Sequence, residues 1–160
     1  MNSIIPKRII IDTNVCLDLF VFHDLRWNDI LHALKNGELK AYTRPECRDE
    51  WFAVLKYPHL PVTTENIGEI KNNYDQLIEC ITPEAKTQIR LPICSDKDDQ
   101  KFLEIARDTD THFLITKDKA LLKLAKRIRK LGLFSIVTPE KFLISLEENF
   151  SETVFNQTKE

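Results

Sequence analysis

The chain has 160 residues, 42% of them hydrophobic, and its 23 lysines and arginines against 25 aspartates and glutamates give a formal net charge of −2. That length suffices for one ordinary core, the charge offers no global attraction to nucleic acid, and no apolar run approaches the ~20 residues of a membrane span. Cys16, Cys47, Cys80 and Cys94 form no C-x-x-C pair and residues 1–7 hold no apolar leader, so reduced thiols and a cytoplasmic location are expected rather than a zinc site or a disulfide framework.

Residues 8–12, "RIIID", predict a buried parallel strand, a short β-branched run without alternation. Helical patterns over 14–22 and 27–35 lead to a second strand at 39–42, followed by helices over 44–56 and 64–80. A helix over 98–108, a strand at 112–115, a helix over 117–130, a strand at 134–137 and a helix over 139–146 complete the order. Only Gly37, Gly68 and Gly132 interrupt the chain, which favours short connections. The alternation predicts a three-layer α/β/α fold with a mostly parallel sheet of four or five strands, and it sets ligand sites outside the carboxyl ends of the strands. One domain over 1–147 is expected, with a polar tail from 148 to 160.

Four acids fall where that architecture gathers side chains. Asp12 closes the first strand, and Asp118 stands just beyond "HFLI" in "ITKDKALL". Asp99 precedes Phe102, Leu103 and Ala106 by three, four and seven residues and so shares their inward stripe, while Glu50 lies three after Cys47 and four before Val54. Each has a plainer structural role. Asp12, Asp99 and Asp118 suit helix caps or first turns, and Glu50 can reach solvent along the helix surface. Thr43 with Glu46, and Ser95 with Asp98, fit capping boxes, which assigns Glu46 and Asp98 to structure and leaves Asp96 as either a cap or a carboxylate behind the cluster. Four carboxylates converging on one edge repel one another unless a divalent cation neutralises them. An oxygen-only set suits Mg²⁺ or Mn²⁺, and the chemistry that suits such a site best is phosphodiester hydrolysis.

The succession of "IIIDTNV", a "PE…E" helix, an aspartate-rich turn before "KFLEIA" and "LITKDKALL" resembles the PIN-domain family, and within it the toxin ribonucleases of type II toxin-antitoxin pairs. The resemblance implies an α/β nuclease with an acidic metal site in which Asp12, Glu50, Asp99 and Asp118 are the four acids in order. Asn14 matches the polar residue beside the first acid, and Thr116 the hydroxyl two residues before the fourth. It further implies an RNA substrate, a cognate antitoxin protein and homodimers. Gln100 stands where relatives often carry another acid, and Trp51 follows Glu50 where an aliphatic residue is usual, a bulk expected to narrow the site.

Positive charge is concentrated in the 117–130 segment. Lys117 and Lys119, beside Asp118, are expected phosphate contacts, as are Arg44 and Lys97 at the two acidic helices. His23, His32, His59 and His112 show no triad spacing. Two other classes compete with the nuclease: a non-catalytic PIN-like module that binds RNA or protein, and a phosphotransfer domain with an aspartyl acceptor. The haloacid-dehalogenase form of the latter needs an aspartate where this chain has Asn14.

Overall fold

The computed structural model describes residues 5–158, with side-chain surroundings described through Glu148. Strand β1, Lys7–Ile11, occupies the centre of the sheet because Ile9, Ile10 and Ile11 are all buried, covered on both faces. It is flanked by β2 (Leu39–Thr43) and β4 (Phe113–Ile115), with β3 (Ile78–Cys80) outside β2 and β5 (Ser135–Val137) outside β4. The order is β3-β2-β1-β4-β5 and every pairing is parallel.

Helices α1 (Thr13–Phe20), α2 (Asn28–Lys35), α3 (Pro45–Val54) and α4 (Ile67–Leu77) precede α5 (Gln100–Asp108), α6 (Lys119–Leu122), α7 (Ala125–Lys130) and α8 (Pro139–Thr158). Alternation along β1 sends Ile9 and Ile11 to one face of the sheet and Ile10 to the other. Val15, Leu19, Ile30, Trp51, Tyr74 and Phe142 pack on the first face, and Phe102, Leu103, Ile105, Leu121 and Ile128 on the second. This is the three-layer α/β/α architecture that the alternating pattern implies. Among the described residues no helix is long and apolar enough to cross a membrane.

Four expectations are corrected. The helix expected over 64–80 ends at Leu77, and β-branched Ile78 turns extended to open β3, pairing with Ala41. The helix expected over 117–130 breaks into α6 and α7, with a tighter Leu124 N–H to Leu121 C=O bond of 3.0 Å between them; Leu121, Leu124 and Ile128 all remain buried. Helix α8 continues past residue 146 to Thr158, a stretch free of glycine and proline; residues 159–160 of the expected tail lie outside the described residues. Neither capping box forms. Arg44 occupies the cap position of α3 with no side-chain cap, and Glu46 pairs instead with Arg44 at 2.8 Å. Asp96 rather than Ser95 caps the turn ahead of α5, accepting from the Asp98 N–H at 3.0 Å.

From β1 the chain builds outward through β2 and β3, then crosses back to place β4 and β5 on the other side. The crevice of such a sheet opens where the build reverses, between the carboxyl ends of β1 and β4.

Candidate metal centre

Asp12 sits at that reversal point, 4% exposed, with its N–H bonded to the Ile115 carbonyl at 2.9 Å. Its Oδ1 caps α1 by accepting from the Thr13 N–H at 2.7 Å. Its Oδ2 accepts from the Thr116 hydroxyl at 2.7 Å and the Asn14 amide at 3.4 Å. The Thr116 hydroxyl in turn accepts from the Asp118 N–H at 2.9 Å, so one fully buried threonine orients both acids. Asp118 caps α6 through the Ala120 N–H at 2.8 Å, and Asn14 accepts from the Lys117 N–H at 3.3 Å. Capping and clustering coexist because a carboxylate has two oxygens with about four acceptor sites.

Asp99 ends a 3-10 turn, Lys97–Asp99, and makes no cap bond to α5. It is 7% exposed, and among the described residues its Oδ2 has no hydrogen-bond partner. One oxygen from each of Asp12, Asp99 and Asp118 lies within 4.8 Å of the other two. Burial pushes Asp99 up to about 8, with the Asp118 carboxylate within hydrogen-bond reach as the next cause. Burial likewise pushes Asp12 up to about 6, against the lowering effect of its bonds from Thr116 and Thr13, and the charges of Glu50 and Asp118 add to the rise. Two carboxylates that close together share a proton or a cation.

Glu50 stands beside this trio rather than in it. Its Oε2 accepts from the Thr13 hydroxyl and its Oε1 from the Lys101 ammonium at 2.9 Å, while Lys101 also donates to the Asp98 carbonyl. Trp51 turns away into the core, stacked on Tyr74 with ring centroids 5.0 Å apart, and does not narrow the site. Gln100 bridges the Pro92 carbonyl and the Cys94 N–H at 3.1 and 2.7 Å, tying a loop where another acid would have added charge. Thr13 and Lys101 escaped the sequence reading. Thr13 lay within the quoted "DTN", and Lys101 follows Asp99 by two in "DDQKFLE", so the need of half-buried Glu50 for a counter-charge was the available signal.

Asp96 serves as a cap and lies outside the trio, although its charge contributes to the rise at Asp99. Of the expected phosphate contacts, Arg44 is held by Glu46 and Glu104 and Lys117 by Asp18 at 2.7 Å. Lys97 and Lys119 are exposed and pair with no carboxylate among the described residues.

The residues fit a hard divalent cation: the donors are all oxygen, Asp99 offers an unpartnered buried oxygen, and ionising the trio requires a counter-charge. Fold and site together define a parallel α/β protein with an acidic cluster at its reversal point. The family follows directly. The chain belongs to the PIN domain family, whose model matches residues 8–120, well over half of the chain and including Asp12, Glu50, Asp99 and Asp118. PIN domains are generally nucleases and typically use divalent metals. No curated protein matches the chain.

Proposed function

We propose that the protein is an endoribonuclease that hydrolyses RNA phosphodiester bonds with Mg²⁺ or Mn²⁺ held by Asp12, Asp99 and Asp118, and that it is the toxin of a type II toxin-antitoxin pair. The observation that carries the nuclease reading is the buried, unpartnered Asp99 Oδ2 within a trio of carboxylate oxygens that all lie within 4.8 Å of one another. When bound, such a cation lowers the pKa of a coordinated water and stabilises charge on the phosphoryl and leaving oxygens.

The chain's own residues do the positioning. Thr116 fixes Asp12 and Asp118 through one hydroxyl, so two ligands are oriented before any cation arrives. Glu50, braced by Thr13 and Lys101, retains lone pairs on both oxygens and serves to orient the attacking water. Lys101 uses two of its three N–H donors on Glu50 and Asp98, leaving one for a phosphate oxygen. The toxin role, the antitoxin partner and a homodimer rest on the motif resemblance, and an overlapping upstream reading frame whose product suppresses the activity supports them.

The test is incubation of purified protein with labelled RNA in Mg²⁺, in Mn²⁺ and in chelator. Cleavage confined to the metal-containing reactions and lost in Asp12→Asn is expected. Cleavage that persists in chelator contradicts the proposal, and RNA binding without cleavage in any metal favours a non-catalytic module.

A further inference from the structure

The trio of carboxylates repels a polyanion, and the chain as a whole carries a net charge of −2, so an RNA strand reaching the site needs cationic surface elsewhere to offset both. Lys117 and Arg44 are already paired with carboxylates. Lys97 and Lys119 stand unpaired beside the trio among the described residues, and three further unpaired cations gather on a surface leading away from it. Segment 89–94 runs antiparallel to α5, anchored at one end by Arg107 donating to the Ile89 carbonyl at 3.1 Å and at the other by Gln100 bridging Pro92 and Cys94. Because α5 begins just after Asp99, the Cys94 end lies beside the acidic trio, and the Ile89 end lies about 10 Å further along the helix axis.

Between this segment and α7 is a cleft of about 360 Å³ lined by Arg90, Leu91, Pro92, Arg127, Lys130 and Leu131. Its three cations are exposed and pair with no carboxylate among the described residues, whereas Arg26, Lys40 and Arg48 each hold one. Both walls lack acids in the sequence, over 85–95 and over 119–139. Arg127 and Lys130 stand three apart on one helix, a like-charge spacing that disfavours the helix. The α7 carboxyl terminus favours cations there, but that does not account for Arg90 converging from a separate segment. Exposed Ile93 and Leu131 add apolar surface along the same edge, at 85% and 55% exposure.

We propose that this cleft is the track along which the sugar-phosphate backbone of the RNA substrate leaves the acidic centre, with Arg90, Arg127 and Lys130 contacting phosphates and Ile93 and Leu131 lying against riboses or bases. The identity of the polyanion rests on the nuclease reading; the existence of the track does not.

The test uses the full chain carrying R90A, R127A and K130A together, compared with wild type for binding a fluorescent single-stranded RNA in chelator across a salt series. Binding is expected to weaken about tenfold at moderate salt, and the log-log salt slope to fall by about 2, at about 0.7 for each phosphate no longer neutralised. Lys40→Ala, at the far side of the sheet and paired with Glu79, is expected to change neither. Should the triple variant melt lower, R90A and K130A alone are each expected to remove about a third of the slope change. Unchanged affinity and slope overturn the track, as does capture of polyglutamate but not RNA through the same residues, which assigns the cleft to an acidic protein. Wild type that binds RNA through these residues yet cleaves none in metal leaves the track standing and overturns the nuclease reading alone.

Discussion

Replacing Asp99 with asparagine should have opposite effects with and without a divalent cation. In the metal-free protein Asp99 is pushed up to about 8 and Asp12 to about 6, both above the unfolded value of about 4. Both therefore bind protons more tightly folded than unfolded. The stability they contribute is complete below about pH 4 and is lost as pH rises through 6 and then 8. The substituted asparagine cannot ionise, and its amide can donate to Asp118, so in chelator at pH 9 the variant should melt above wild type. A cation at about 100 times its dissociation constant adds about 2.7 kcal/mol to wild type, roughly 5–10 °C in a domain of this size. Losing a residue that only orients a metal ligand costs up to about 100-fold in affinity, so losing one of three charged ligands leaves at most about 0.4 kcal/mol, roughly 1 °C. Thermal melting of both proteins from pH 6 to 9, in chelator and in Mg²⁺, reads all four combinations. An Asp99→Asn protein that melts lower in chelator at pH 9 and keeps the full Mg²⁺ shift would show that Asp99 is a structural acid.

Thr116→Val leaves Asp12 Oδ2 without its shortest donor and the Asp118 N–H without its acceptor, so urea unfolding should show a decrease of about 1–3 kcal/mol. The same change removes the hydrogen bond that most lowers Asp12, so calorimetric Mg²⁺ affinity should need a higher pH to reach its plateau. Lys101→Met should lower kcat about ten- to hundredfold by releasing Glu50 from its brace, with Lys101→Arg recovering most of it in steady-state cleavage. Trp51→Ala removes a 1% exposed ring stacked on Tyr74 and edge-on to Phe20, and should cost about 3–5 kcal/mol in urea unfolding.

Periodicity made the layered fold legible because most of its segments have a single period: "RIIID" is a buried strand by any reading, and the α5 stripe of Phe102, Leu103 and Ala106 is a helix. It failed at "QLIECI", where a helix passes into a strand with no glycine or proline between them and the apolar spacing suits both. The acids were legible for a related reason. A charge on an inward stripe or at the end of a buried strand needs a partner, which singles out Asp99 and Asp12 without any knowledge of their 4.8 Å grouping with Asp118. Partners contributed by distant segments were not legible. Nothing local links Lys101 to Glu50, fifty-one residues away, or Lys117 to Asp18, ninety-nine away. Nor could spacing show that Asp96 rather than Ser95 caps its turn, since both residues suit the role.

One measurement tests the metal centre most directly: cleavage of a labelled single-stranded RNA by the purified full chain in chelator, followed by Mg²⁺ added in excess to the same tube, with Asp118→Asn run alongside. Wild type should be silent until the metal is added and then cleave, and Asp118→Asn should stay silent throughout. Cleavage before the addition, or equal cleavage by the variant after it, would contradict a cation held by Asp12, Asp99 and Asp118 as the source of the activity.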